Sequence, residues 1–347
     1  VSIAAASTDP SLRFAICVPA RNEAARLPRF LDAIERLAVP PRATVVLCLL
    51  LDSCSDDSGR IAAGYAGRSR HSVRIATARS TTANAGIARR AAMALGVAAL
   101  GRAGGVLMTT DADSQPRADW LHATMAAIGM ADLVAGDVIR TDHEQHHAQD
   151  SIEQYYAQLY ALRRLIDPLA WEAPATHHHA SGANLAIRSE AYAALGGFAL
   201  LASGEDARLV DDAARLGLRV RRDAASVVHT SARRIGRAQG GLATALHMLD
   251  RMGLDAVRVT HPLDQVWQYR HHALARHSFP NSDFVALADA IRLTPDHLRG
   301  VARDCPNAEA FAMRVVPEAP GGMRQVPLAM AEDTLRALTH TVSVKAA

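Results

Sequence analysis

The 347-residue chain is poor in features that mark several large protein classes. It has four cysteines, Cys17, Cys48, Cys54 and Cys305, with none of the paired spacing that a zinc ribbon or a disulfide framework needs. Cys17 and Cys48 fall inside apolar runs, where a thiol behaves as a small hydrophobe. No segment reaches the ~18 uninterrupted apolar residues of a membrane span. Val1 to Arg13 has no basic region followed by an apolar stretch, so it does not read as a signal peptide. A net charge of +3, with scattered arginines, gives no reason to expect a nucleic-acid partner. No Gly-x-Gly-x-x-Gly follows the first apolar run, which disfavours a dinucleotide-dependent dehydrogenase. These absences predict a soluble, cytoplasmic protein kept in a reducing compartment.

What is present is a large apolar fraction, 49%, enough for a sizeable core. Apolar runs at Phe14–Val18, Thr44–Leu51, Val73–Thr77 and Val106–Thr110 alternate with helix-patterned stretches at Glu23–Ala38, Asp57–Ala66 and Ala85–Leu100. That alternation predicts an α/β protein with a mostly parallel sheet flanked by helices. Further strands are expected at Asp132–Val138 and Asn184–Ile187, with helices over Gln149–Ile166 and after Gly204. Thr141–Asp150, which carries His143, His146 and His147, and Asp167–Ala180 are polar and His- or Pro-rich and read as loops. From about Gly240 the alternation stops. Helix-like segments around Leu242–Val257, Phe284–Ile291 and Ala329–Thr339 predict a mainly helical extension.

The strongest chemical signal is the run Gly105–Ser114, which ends on Asp111 and Asp113. Two carboxylates delivered to the carboxyl end of a strand, where an open α/β sheet keeps its ligands, suit Mg²⁺ or Mn²⁺ carrying a substrate's phosphates. The plainer alternative makes Asp111 a helix cap and Asp113 a turn residue. Two other polar loops follow strands on that edge: Pro19-Ala20-Arg21-Asn22-Glu23, and Asp52-Ser-Cys-Ser-Asp-Asp-Ser58. Asp52 could accept a hydrogen bond from a nucleobase N–H and Arg21 could meet a phosphate or ribose. Otherwise they are a turn acid and a solvated charge.

With Asn84-Ala-Gly86-Ile-Ala-Arg89-Arg90 opening a helix and Thr110-Asp-Ala112-Asp113 closing a strand, the chain resembles the family 2 glycosyltransferases of the GT-A, nucleotide-diphospho-sugar transferase fold. Ser181-Gly-Ala-Asn184, Gly196-Gly-Phe198 and Gly204-Glu-Asp-Ala-Arg-Leu209 follow in the family's order. The likeness covers roughly residues 13 to 240, divided into a nucleotide-binding half (13–114) and an acceptor-side half (115–240). Residues 1–12 are left as a tail and 241–347 as the helical extension.

The resemblance implies an inverting transfer from a UDP- or GDP-linked sugar to a small or carrier-linked acceptor. It implies donor contacts from Pro19, Ala20, Arg21, Glu23, Asp52, Asn84, Gly86, Arg89, Asp111, Ala112 and Asp113. It implies Mn²⁺ or Mg²⁺ held by Asp113 and Asp111, with His229 completing the set, and Asp206, or less favourably Glu205, as general base. On the residues alone, Glu205-Asp206 is also an acidic first helical turn, and His229 a strand-end histidine before the basic stretch Arg233, Arg234, Gly236 and Arg237. His177, His178 and His179 cannot all face one metal from a strand; a loop with one of them at the substrate is expected.

Two departures from the family pattern narrow the reading. Asp52-Ser53 stands where many relatives carry adjacent acids, and the Gln-x-x-Arg-Trp segment of processive synthases is missing, which predicts transfer of a single sugar. A nucleotidyltransferase would want a glycine in the Pro19–Glu23 loop. A non-catalytic nucleotide-sugar-binding protein is the remaining alternative. The extension could cover an acceptor, form a homodimer or rest on a membrane surface.

Overall fold

Near-continuous apolar strands need cover on both faces, and the first two strands have it. The computed structural model describes residues 12–80, 83–141, 147–231, 253 and 256–346. The described residues form two compact units. The first takes in those up to 141, Ala173–Ala213 and those from Arg219 to 231; the second takes in those from 147 to Glu172, Ala214–Leu218 and those from 253 onward.

The first unit is built on strands β1 (Arg13–Ala20), β2 (Thr44–Asp52), β3 (Ser72–Ala78), β4 (Val106–Thr109), β5 (Gln115–Pro116), β6 (Leu133–Arg140), β7 (Leu185–Arg188) and β8 (Val220–Thr230). They join in one sheet of order β3-β2-β1-β4-β7-β6-β8-β5. The block β3-β2-β1-β4 is parallel, connected through α1 (Leu27–Glu35), α2 (Ser58–Ala66) and α3 (Ala85–Leu100). The helix α4 (Trp120–Met130) precedes β6. Phe14, Ile16, Val18, Leu47 and Leu49 pack with Phe30, Ile34 and Trp120, all fully buried.

Register decides which loops can meet. Ala20 pairs with Leu51, and Thr109 pairs with Cys17, so the loops after β1, β2 and β4 leave one sheet edge. Strand β7 runs antiparallel to β4, with Thr109 opposite Leu185, so the segment before β7 reaches that same edge. Strand β6 is antiparallel to β7 and parallel to β8, which brings the end of β8 there as well.

The expected helix at Glu23–Ala38 is shorter than its pattern. Glu23 C=O accepts from the N–H groups of Arg26 and Leu27, making a turn before Pro28 sets the first turn of α1. The expected Ala85–Leu100 helix is found with those bounds, capped by the Asn84 side chain, which accepts from Ile87 N–H at 2.9 Å.

In the second unit, α5 (His147–Ile166) is followed after the first-unit segments by strand β9 (Arg258–Thr260), helices α8 (Pro262–Ser278), α9 (Val285–Ile291), α10 (Pro295–Arg303) and α11 (Ala308–Val315), strand β10 (Gln325–Pro327) and helix α12 (Leu328–Ala346). One core gathers Phe284, Leu287, Leu298 and Phe311; another gathers Tyr155, Leu159, Val266 and Leu335. The extension is helical, as its sequence suggested, and α8, α10 and α11 add to the expected segments. No helix among the described residues is long and apolar enough to cross a membrane. His143, His146, Arg233, Arg234, Gly236, Arg237 and most of the Leu242–Val257 segment lie outside the described residues.

Candidate active site

The loops after β1 and β2 are stitched together by unlike partners. Asn22 Oδ1 accepts from Ser55 N–H at 2.7 Å, Asp56 Oδ2 from Ala24 N–H at 2.9 Å, and Ser58 Oγ from Glu23 N–H at 2.9 Å. Cys54 Sγ donates to Ala20 C=O at 3.3 Å. Asn22 and Ser53 both adopt positive φ, 54° and 50°, a conformation uncommon for residues other than glycine and found where a loop is held in one shape. Pro19 and Ala20 are the last two residues of β1, and the Glu23 side chain is buried beneath the loop. Asp52 ends β2 almost wholly buried, with Ser53 Oγ donating to it at 3.1 Å and the charged Arg21 Nη1 lying 3.7 Å away, an ion pair beyond hydrogen-bond distance. The two residues expected on opposite parts of a nucleotide thus form an ion pair in this structure.

The loop after β4 carries the second group. Asp111 does not cap α4; the residue before that helix is Asp119, whose side chain makes no cap bond. Asp111 Oδ1 instead accepts from Arg89 Nη2 at 3.1 Å. Ala112 is buried, and Asp113 Oδ2 accepts from Ser231 Oγ at 3.0 Å. Ser114 Oγ donates to Thr230 Oγ1 at 3.0 Å, so the end of β8 is tied to this loop through Thr230 and Ser231. His229 stands next to them on β8, opposite Gln115 and Ile139. Among the described residues the ligand atoms of Asp111, Asp113 and His229 do not come together within 4.8 Å as a set. Both aspartates present carboxylate oxygens, the donors that a hard, oxygen-seeking dication takes. The donor set therefore fits Mg²⁺ or Mn²⁺.

The third group is the acidic helix start. Helix α7 (Glu205–Arg215) follows Gly204, whose φ of 74° turns the chain into it. Asp206 Oδ2 accepts from Gly182 N–H and Oδ1 from Ala207 N–H, each at 2.8 Å. Glu205 is buried, and burial pushes its carboxyl pKa up although Arg89, whose Nε donates to it at 3.1 Å, pulls the other way. The positive end of α7 favours both carboxylates.

Several residues of the motif set are engaged by the protein itself. Asn84 caps α3, and its Nδ2 donates to Leu200 C=O at 3.3 Å. Gly86 lies against the same segment, where a Cβ would stand 2.1 Å from Ala199 O. Arg89 is buried, its guanidinium bonded to Glu205, Asp111, Thr109 and Gly182. Asn184 takes Trp120 Nε1–H at 2.8 Å and donates to the carbonyls of Asp137 and Ser226, locking three strands. His177 is not at an open loop tip. Its Nδ1 accepts from His179 N–H, so Nε2 carries the proton and donates to Ala135 C=O at 3.1 Å, and burial holds its pKa down at about 3. Gly182, Thr230 and Ser231 complete the arrangement; serine and threonine at a strand end carry no signal that singles them out in the sequence.

The profile of the family described as Glycosyl transferase family 2 matches residues 15–195, more than half of the chain. Among solved structures, S. aureus TarS 1-349 in complex with UDP-GlcNAc is 14% identical, with 88% of this chain and 90% of that chain covered at a TM-score of 0.50. At that identity the likeness is one of fold. The mannosyltransferase PcManGT from Pyrobaculum calidifontis, in complex with GDP-Man and Mn²⁺, is 16% identical over 96% of this chain and 75% of that chain, at the lower TM-score of 0.47. No curated protein matches the chain by sequence.

Proposed function

The chain belongs to glycosyl transferase family 2, and from that premise we propose that it moves one sugar, with inversion, from a UDP- or GDP-linked donor to a small or carrier-linked acceptor. The observation that carries this reading is the meeting on one sheet edge of Asp52, Asp111 and Asp113 with an aspartate, Asp206, whose two oxygens are each fixed by a backbone N–H. TarS, captured with UDP-GlcNAc on the same fold, supports the donor class.

In this reading the loop after β2 receives the base and ribose, with Asp52 accepting from a ring N–H and Arg21 turning toward ribose or phosphate. Asp113 and Asp111, with His229 as a third donor, would hold Mg²⁺ or Mn²⁺ on the diphosphate, where the ion offsets charge on the leaving group. Asp206 takes the acceptor's proton as its oxygen approaches the anomeric carbon from the face opposite the diphosphate. Glu205 serves less well as base, because it is buried and committed to Arg89. The Gly182 N–H fixes Asp206 without protonating it, which keeps one carboxylate lone pair directed by geometry and not by solvent.

The test separates binding from chemistry. Asp206→Asn keeps size and can still accept from Gly182 N–H, so binding of a nucleotide sugar, followed by calorimetry, should stay within a few fold of the wild type. Release of nucleoside diphosphate should fall by about 10² to 10⁴. Full turnover by Asp206→Asn would remove the assignment of the base.

A further inference from the structure

We infer that Arg89 is the positioning residue that sets Asp206 against Asp111, holding the acceptor side and the donor side of the site in register through a single buried guanidinium. This rests on the transferase reading above and deepens it.

The geometry begins with where the four bonds go. Nε reaches Glu205 Oε1 at 3.1 Å, Nη2 reaches Asp111 Oδ1 at 3.1 Å, and Nη1 reaches Thr109 Oγ1 at 2.9 Å and Gly182 O at 2.8 Å. The four partners lie on three segments: Thr109 and Asp111 at the end of β4 and just after it, Gly182 in the loop before β7, and Glu205 at the start of α7. Gly182 is bonded in two directions: its carbonyl accepts from Arg89, and its N–H donates to Asp206 Oδ2 at 2.8 Å. Arg89 therefore orients Asp206 from two sides, through Gly182 and through Glu205, the residue before it. Its remaining arm fixes Asp111. The Phe198 ring lies under the guanidinium, 5.9 Å from centroid to Cζ, and closes the remaining face.

Two features show that the site is built around this side chain. A Cβ on Gly182 would stand 2.4 Å from Arg89 Cζ, so glycine is what lets the loop approach the guanidinium. Gly182 has no positive φ, so its lack of a side chain answers to this contact and not to a left-handed backbone. Burial alone would lower the Arg89 pKa, and Asp111, Glu205 and Asp206 reverse that, so the cation is held by three carboxylates at once. Lysine supplies one charge but no planar fork, and cannot span Nε, Nη1 and Nη2 together.

The test uses Arg89→Lys, Arg89→Met and Gly182→Ala in the full chain. Gly182→Ala displaces the guanidinium without removing its charge and keeps the test open if Arg89→Met fails to fold. One readout needs no substrate: the Gly182 amide, observed by ¹⁵N NMR, should shift and exchange faster in the folded Arg89 variants, since its partner Asp206 is no longer held. The other is slow hydrolysis of a nucleotide sugar with Mn²⁺, water standing in for the acceptor. Affinity for UDP or GDP with Mn²⁺ should weaken by several fold, since Asp111 loses its Arg89 partner, while kcat per folded molecule drops by about a hundredfold. Arg89→Lys and Gly182→Ala should combine non-additively, as perturbations of one contact do.

A Gly182 amide unchanged in Arg89→Lys would overturn the inference, as would a lowered melting temperature with kcat intact, the outcome of a merely structural role. A wild type that neither binds nor hydrolyses any nucleotide sugar would instead refute the transferase reading, and the amide readout would still decide the role of Arg89.

Discussion

Two buried arginines, one in each compact unit, solve the same electrostatic problem with different consequences. Arg89 joins Asp111 and Glu205, and Arg276 joins Asp167 and Glu309. In both units burial pushes one partner carboxyl up, Glu205 in the first and Asp167 in the second, while the arginine pulls it down. The difference is access. Asp111 is 37% exposed, whereas Asp167 and Glu309 are 6% and 9% exposed. The Arg276 network also lies beside His272, whose pKa burial holds down at about 3. Both its carboxylates are shielded, and it ties Asp167, just after α5, and Glu309 of α11 to α8. The Arg89 network opens at one corner onto a loop of carboxylates. Buried charge by itself does not mark a reacting site; buried charge with one accessible partner on a loop edge does.

The largest effect that would break this comparison is in chemistry. Asp206→Asn should lower nucleoside diphosphate release by about 10² to 10⁴, and no change at Arg276 should imitate it at fixed folded fraction. Next in size is Arg276→Met, which strands Asp167 and Glu309 in a dry core. It should cost about 3–5 kcal/mol in denaturant unfolding while donor affinity per folded molecule stays unchanged. A loss below 1 kcal/mol would mean that the second network is solvated and the contrast in access is false.

A third prediction concerns acid. His177 is neutral when folded, with a pKa of about 3 against 6.5 for the free side chain. The unfolded chain therefore binds the extra proton first as pH falls. Stability should be full above about pH 6.5 and decline as pH drops toward 3, by at most about 5 kcal/mol from this group. His177→Gln should flatten that slope; an unchanged slope would place the acid sensitivity elsewhere. The smallest expected effect is at Asn84. Asn84→Ala removes the α3 cap and should cost about 1 kcal/mol, with Asn84→Asp close to neutral.

Much of the first unit could be read from the chain because β1, β2 and β4 are buried on both faces and show as apolar runs. Strands β1 to β4 lie within a residue or two of those runs. The two-residue strand β5 has no such signature. Helices α8, α10 and α11 show no sustained apolar run, since acidic residues and arginines interrupt each of them, and packing within the second unit settles them. The site was legible as a set of loops but not as a set of contacts. Asn84 reads as a donor contact in the sequence, yet it caps a helix and reaches Leu200 C=O, and Asn184 ties β6 and β8 to α4, because side-chain direction depends on partners far along the chain. Arg89 is the extreme case. Its bonds to Gly182 and Glu205 span 93 and 116 residues, a separation at which no local pattern carries information.

The most direct measurement is thermal melting of the full chain against UDP-, GDP-, ADP- and dTDP-linked sugars, each with Mn²⁺, with Mg²⁺ or with chelator. The account predicts a rise in Tm for UDP- or GDP-linked sugars that disappears when the metal is removed, as linkage requires of a ligand that binds only the folded protein through a metal. No shift with any donor in either metal would contradict it.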